Sequence, residues 1–188
     1  MKIGVISDTH GNLSGWEQAW EVALGDADMI VHCGDLFYHG PKFRPVEGYD
    51  PRALAQAMNG AGKPVLVAKG NGDSEVDQLV VDFPIQQPYL LAQVEGRRIL
   101  ATHGHLMEME QLEGLCESWG IDFLLTGHTH VPVVRTIGRC THMNPGTPTY
   151  PLHTDEARRR PTCGIIEGAV ARVIDLRSGD ALTEAEMV

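Results

Sequence analysis

The sequence predicts an α/β fold, and three observations lead there. Three consecutive units between residues 2 and 68 each place a short apolar run before a polar loop, the pattern of a largely parallel sheet with crossover helices. Five apolar runs in all end in clusters of Asp, Asn and His. Beyond Phe83 the chain turns β-rich with hairpin signals, which predicts mixed pairing and a second sheet packed on the first.

Taken in order, Lys2 to Ser7 reads as a strand ending in Asp8-Thr9-His10. Ser14 with Glu17 has the form of a capping box, opening an amphipathic helix that reaches about Leu24. Met29 to Cys33 is a second strand ending in Gly34-Asp35. Asp50-Pro51 supplies an N-cap and a first-turn proline for a helix that stops near Asn59-Gly60. Pro64 to Ala68 is a third strand, running into Lys69-Gly70-Asn71-Gly72-Asp73. Tyr89 to Val94 and Arg97 to Thr102 flank Glu95-Gly96 as a hairpin, whose second strand leads into His103-Gly104-His105. A helix over Glu108 to Trp119 precedes a strand from Ile121 to Thr126 and then Gly127-His128-Thr129-His130. Strands over Val131 to Ile137 and Arg139 to Met143 follow, then a hairpin around Glu167-Gly168 between Gly164 and Leu176. Two long irregular stretches, Leu36 to Tyr49 and Tyr150 to Pro161, are expected to be functional loops.

A chain of 188 residues with 43% hydrophobic and 21% charged residues is expected to form one domain spanning residues 1–188. No apolar run approaches the roughly 20 residues that span a bilayer. With 15 Lys and Arg against 25 Asp and Glu, the net charge of −10 argues against general nucleic-acid binding. An acidic protein that meets anions must concentrate positive charge locally, and bound metal is one way to do so. Cys33, Cys116, Cys140 and Cys163 form no CxxC pair, and the chain begins directly with a strand. Reduced thiols and a cytoplasmic location are therefore expected.

In an α/β sheet the carboxyl ends of the strands share one edge, and ligands bind there. Asp8, His10, Asp35, Asn71, His103, His105, His128 and His130 all lie just beyond strand ends, so they are expected to converge on one site. Carboxylates, imidazoles and an amide oxygen form a mixed nitrogen and oxygen ligand set. Such a set suits Mn²⁺, Fe, Zn²⁺ or Ni²⁺ better than Ca²⁺. The number of donors exceeds the need of one ion and points to two, ~3.5–4 Å apart and bridged by a carboxylate, the arrangement that cleaves phosphate esters.

The ordered series D-x-H, G-D, G-N, G-H and G-H-x-H, spanning about residues 4 to 147, resembles the calcineurin-like metallophosphoesterases. Within that superfamily HGPKFRPVEGY, GNGDSEVDQ, FPIQQPY and HMNPG are most similar to the small YfcE-type phosphodiesterases. The resemblance implies a two-sheet β-sandwich flanked by helices. It implies Asp8, His10 and His130 on one metal, Asn71, His103 and His128 on the other, and Asp35 between them. Two divalent ions, Mn²⁺ foremost, and a bridging hydroxide attacking a small-molecule phosphodiester follow from it, with a homo-oligomer plausible by the same likeness. Asp35, Asn71 and His105 are the residues expected to act in catalysis. His105 is weighed equally as a phosphate contact or proton donor and as a structural residue.

One position departs from the family pattern. Where many members carry a histidine after the G-N asparagine, and the YfcE-like branch a cysteine, this chain has Gly72. A residue without a side chain protonates nothing, so acidic leaving groups such as aryl oxides are expected to be preferred. Thr147 stands where serine is usual after NPG and keeps the hydroxyl. A phosphomonoesterase, or a scaffold like the retromer subunit that shares this fold, is the alternative reading. The complete set of ligand positions favours catalysis over the scaffold.

Several other residues invite a role. His32 and Cys33 are expected in the core. His39, with Tyr38 and Arg44, is placed where a loop can line the pocket, and Asn144 where it can fix the site loop. Arg158 to Arg160 are expected to be a solvated run, and His142 and His153 structural or exposed. Gly60-Ala61-Gly62-Lys63 precedes Pro64 and lacks the Ser or Thr of a phosphate-binding Walker loop.

Overall fold

The computed structural model describes residues 1–187. Twelve strands form two sheets: β1 (Lys2–Ile6), β2 (Met29–His32), β3 (Val65–Ala68), β4 (Ile85–Gln86), β5 (Leu90–Val94), β6 (Arg97–Ala101), β7 (Phe123–Leu125), β8 (Val133–Ile137), β9 (Cys140–Asn144), β10 (Thr162–Glu167), β11 (Val170–Asp175) and β12 (Ala181–Glu186). One sheet has seven strands in the order β12-β11-β10-β1-β2-β3-β4, the other five in the order β5-β6-β7-β9-β8. Three α-helices, α1 (Leu13–Ala19), α2 (Pro51–Asn59) and α3 (Met109–Trp119), cover the outer faces.

Alternation along the strands explains the layering. Ile3, Val5 and Val31 join Leu90, Ile99, Phe123, Leu125 and Met143 in a core between the sheets. Ile6 and Ile30, of opposite parity to Val5 and Val31, pack instead with Trp16, Leu24, Leu54 and Met58 beneath α1 and α2. Leu100 and Leu124 meet Leu112 and Cys116 of α3 on the other outer face. The expected α/β sandwich flanked by helices is therefore the observed one.

Local signals hold for most elements. Asp50 Oδ1 accepts the Ala53 N–H at 2.9 Å and Pro51 opens α2. Glu95 and Gly96, at φ 49° and 80°, make the β5–β6 turn. Two expectations need correction. The cap of α1 is Asn12, whose Oδ1 accepts from Gly15 N at 2.6 Å; Ser14 lies inside the helix, so the Ser14–Glu17 box does not form. Its continuation, Trp20–Leu24, widens into a π-turn, and the Lys63 ammonium donates to the carbonyls of Leu24 at its end and of Gly25 and Ala27 beyond it.

The division of the chain between the sheets is the second. β1 to β4 are parallel neighbours, but the C-terminal β10, β11 and β12 return to the same sheet, β10 running antiparallel against β1. The first sheet is thus mixed, because a hairpin and a further strand can add to its open β1 edge without a crossover. All four cysteines are free and buried. Among the described residues no helix is long and apolar enough to cross a membrane.

Candidate metal centre

β1, β2 and β3 are parallel neighbours in one sheet, and β6 and β7 in the other. Their C-terminal ends carry the polar clusters to a common edge of the sandwich. Backbone bonds stitch the loops together there: Asp8 N donates to Gly34 O at 2.9 Å, His10 N to Asp35 O at 3.0 Å and Gly127 N to His103 O at 3.1 Å. Gly34 and Gly70 are glycines by necessity, since a Cβ on Gly34 would come within 2.6 Å of the Gly70 nitrogen.

The backbone itself is unusual at this edge. Asp8, His10, Asp35, His128 and His130 adopt φ of 55°, 45°, 57°, 69° and 57°. Non-glycine residues rarely enter the left-handed region, and such strain gathers at functional sites. Among the described residues the other non-glycine position with positive φ is Glu95 in its hairpin turn.

Three histidines are oriented in the same way. The Nδ1 of His10 meets Tyr38 O at 2.6 Å, that of His103 meets Cys33 O at 2.7 Å, and that of His130 meets Tyr150 O at 2.8 Å. A carbonyl only accepts, so each Nδ1 carries a proton, and Nε2 is the nitrogen whose lone pair each ring offers once it is neutral. These lone pairs converge. His10 Nε2 lies 3.1 Å from His130 Nε2, His130 Nε2 3.2 Å from Asp8 Oδ1, and His103 Nε2 3.4 Å from Asp35 Oδ2. His10 Nε2 is 3.7 Å from Asp8 Oδ1 and 3.8 Å from Asp35 Oδ2.

Each carboxylate has one oxygen tied down and the other aimed inward. Asp8 Oδ2 accepts from Ser7 Oγ at 2.6 Å and His128 N at 3.0 Å, and Asp35 Oδ1 accepts from Gly72 N at 2.7 Å. Asp8 Oδ1 and His103 Nε2 are buried without a hydrogen-bond partner. Acceptors crowded together in a dry site repel unless a cation lies among them. The residues present therefore fit divalent metal, and two groups of donor atoms are tight enough to hold it: Asp8, His10 and His130, and Asp8, Asp35 and His103.

Ionisation follows the same geometry. Burial opposes the charge on Asp8, yet His130, His103 and Ser7 outweigh it and its carboxyl lies below the usual range. Burial is likewise overcome at Asp35, by His103, the Gly72 N–H and His10, and its carboxyl is held down. At His103 burial works against the imidazolium, but Asp35 and Asp8 prevail and raise it to about 9. Burial pushes His10, His105 and His128 down.

Of the residues expected here, the structure brings Asp8, His10, Asp35, His103 and His130 into the tight cluster. His128 is exposed beside it, its ring 5.1 Å from that of His103. Asn71 lines, with His128, the cavity of about 470 Å³ that opens over the cluster. The His105 ring lies 5.3 Å from His103 and 6.0 Å from His128, and its Nδ1 is buried without a partner. Tyr38 and His39 line the cavity, as expected of that loop. Arg44 does not; its carbonyl accepts from Tyr150 Oη at 2.8 Å. Asn144 fixes the site loop, donating to Gly127 O at 2.7 Å and accepting from Gly146 N. Arg158, Arg159 and Arg160 pair with Asp155, Glu156 and Asp175.

Two contributors were not singled out in the sequence. Asp73 is buried and accepts from the backbone N–H groups of Asp35, Leu36 and Gly70 at 2.9, 2.7 and 2.7 Å. Its signal is the Asp three residues after Gly70, a spacing at which an aspartate can accept from the earlier backbone N–H. Phe43 stacks on Tyr150 at 4.4 Å and on His130 at 5.2 Å, and nothing in the local sequence marks that contact.

The model of the calcineurin-like phosphoesterase superfamily domain matches residues 1–167. The chain is 36% identical over 185 residues to phosphodiesterase YfcE of Escherichia coli K12, covering 98% of this chain and 97% of that protein. It is 33% identical over 161 residues to a probable metallophosphoesterase of Methanothermobacter thermautotrophicus, 82% of this chain and 81% of the other. The solved structure of YfcE, described as a phosphoesterase from E. coli, superposes with a TM-score of 0.85 at 32% identity over all of both chains. Zinc-complexed Vps29 from Entamoeba histolytica shares the fold, with a TM-score of 0.65 at 19% identity over 99% of each chain. Motif series, sandwich and relatives agree, and the chain belongs to the calcineurin-like phosphoesterase superfamily of hydrolases.

Proposed function

We propose that this chain, as one domain over residues 1–188, is a metal-dependent phosphodiesterase acting on a small-molecule diester. Asp8, His10 and His130 hold one divalent ion, Asn71, His103 and His128 a second, and Asp35 is shared. Mn²⁺ is the favoured metal, and Fe, Zn²⁺ and Ni²⁺ suit the same donors. The observation that carries the reading is the convergence of three Nε2 lone pairs and two inward carboxylate oxygens on one buried point. The YfcE likeness over nearly the whole chain supports the diester class.

Bound there, the ions would supply Lewis acidity toward phosphate oxygens and would lower the pKa of an attacking water. The chain's own residues do the rest. The carbonyls of Tyr38, Cys33 and Tyr150 lock the three imidazoles in one tautomer and rotation. The Gly72 N–H holds Asp35 Oδ1, so that Oδ2 stays turned to His10 and His103. Gly72 has no side chain to protonate a departing oxygen. His105, with its unpartnered Nδ1 beside His103, is the candidate to contact phosphate or deliver that proton.

The test is hydrolysis of bis(4-nitrophenyl) phosphate by metal-stripped protein with and without Mn²⁺, with Asn71→Ala as the blank for the second site. Turnover restored by metal and lost in Asn71→Ala supports the reading. Metal binding without turnover on any of several metals would favour the scaffold, and turnover of 4-nitrophenyl phosphate alone the monoesterase.

A further inference from the structure

The cavity over the metal cluster has an aromatic wall that metal binding does not explain. Tyr38 follows Phe37, which is 6% exposed, yet Tyr38 is itself 49% exposed and lines the cavity. A tyrosine in that state forgoes the burial that ordinarily makes aromatic residues worth placing. Its position is nevertheless fixed, because the Tyr38 carbonyl accepts from His10 Nδ1 at 2.6 Å. The main chain serves the metal cluster while the residue stays exposed at the cavity beside it.

The ring is also backed. The His39 ring lies 5.2 Å from that of Tyr38, and His39 is wedged edge-on against Tyr49 at 5.1 Å and 87°. His39 Nδ1 and Tyr49 Oη lie 3.2 Å apart, a hydrogen bond that fixes the middle member of the row. Such a row loses little further freedom when a planar group lands on it. The same cavity is lined by Gly72, which contributes no side chain to it.

We propose that Tyr38, backed by His39 and Tyr49 and tied through its carbonyl to His10, is the platform on which a planar aromatic substituent of the diester stacks. It is a specificity-determining residue, and the substrate class is a phosphodiester carrying an aryl group or a nucleobase. The proposal rests on the phosphodiesterase reading above and deepens it. A π-face accepts any flat ring, so the platform discriminates rings from alkyl chains and only weakly one ring from another.

The experiment compares Mn²⁺-loaded enzyme on bis(4-nitrophenyl) phosphate and methyl 4-nitrophenyl phosphate, which release the same leaving group and differ in the substituent retained. In Tyr38→Ala the ratio of kcat/KM between the two is expected to fall about tenfold, the scale of one stacked ring, and Tyr38→Phe is expected to restore it. A nucleoside 5′-(4-nitrophenyl phosphate) as third substrate separates the two sources of the ring. A fall with this substrate assigns the platform to nucleobases as well, and a fall confined to the bis-aryl ester assigns it to aryl groups. Binding of phenylphosphonate against methylphosphonate, followed by calorimetry on the same variants, reads the platform without turnover. A Tyr38-dependent preference for phenylphosphonate in an enzyme that hydrolyses neither diester would keep the platform and overturn the diesterase. Loss of both substrates in equal proportion, with no change in phosphonate preference, would overturn the platform and leave Tyr38 as a support for His10.

Discussion

Asp73 holds Asp35 from behind: its Oδ2 accepts the Asp35 backbone N–H at 2.9 Å and the Gly70 N–H at 2.7 Å, while Oδ1 accepts from Leu36 at 2.7 Å. One carboxylate thus clamps the G-D loop to the G-N loop and fixes where the Asp35 side chain starts. Asparagine keeps the shape but turns an NH₂ toward at least one of these donors. Asp73→Asn is expected to cost on the order of 2–3 kcal/mol of stability and roughly 10–100-fold in activity or metal affinity. Chemical denaturation alongside metal titration checks both, and a fully active, fully stable variant would remove Asp73 from this role.

In metal-free protein His103 carries its proton up to about pH 9, because Asp35 and Asp8 outweigh its burial. As a ligand in the proposed function His103 must be deprotonated, so metal binding at neutral pH is expected to release that proton. Apparent affinity then rises toward tenfold per pH unit from about pH 7 and levels off near pH 9. Calorimetry in buffers of differing ionisation enthalpy measures the release directly. The linkage has the opposite sign for the stability of the metal-free fold. A folded pKa above the unfolded value stabilises fully below about pH 6.5, and that contribution is lost as pH rises through about 9.

Under the proposed function Gly72 is expected to set the leaving-group dependence. A Cβ there would lie 3.2 Å from Asp35 Oδ1, tight enough to require a small adjustment and still open to a side chain. The wild type is expected to favour aryl over alkyl leaving groups steeply. Gly72→His is expected to raise the alkyl rate relative to the aryl rate by roughly 10²-fold if the imidazole reaches the departing oxygen. A series of diesters of graded leaving-group pKa shows this as a flatter slope. Equal wild-type rates on alkyl and aryl diesters would contradict it.

Lys42 is the one Lys or Arg among the described residues lining the cavity, with Nζ 5.3 Å from the Phe43 ring centre. In a chain of net charge −10 it is expected to draw an anionic substrate to the mouth. Lys42→Ala should raise KM by about 3–10-fold at low salt with kcat little altered, and the difference should shrink as salt screens it. A defect equally large at high salt would mean that Lys42 supports the loop instead.

Thr147 ties the NPG loop to the cluster. Its buried hydroxyl donates to Asp8 O at 2.7 Å and accepts from Thr149 N at 3.0 Å and Tyr150 N at 3.2 Å. Thr147→Ser should be tolerated and Thr147→Val should cost about 1–3 kcal/mol, since valine leaves buried donors unpaired. Thermal or chemical denaturation distinguishes the two.

Much of this protein was legible in one dimension because its signals are local. Asp50-Pro51 opens α2 and Glu95-Gly96 turns β5 into β6 through hydrogen bonds and dihedrals a few residues wide. That Asp8, His10, Asp35, His103 and His130 would gather was legible for a related reason: strand ends of a parallel sheet deliver their next residues to one edge whatever lies between them. Tertiary structure decided everything that depends on distant partners. It placed β10 against β1 and added β12 and the two-residue β4, for which a single segment has no marker. It chose Asn12 over Ser14 as the α1 cap, where Asn12 also donates to Glu47 O from a loop 35 residues away. It bent the Leu36 to Tyr49 loop so that one carbonyl meets His10 and one ring, Phe43, stacks on Tyr150. The sequence by itself determined which carboxylates and imidazoles reach the common edge. Only the packing of two sheets and two loops decided which lone pairs face each other and what wall the substrate meets, because those relations are set by long-range contacts.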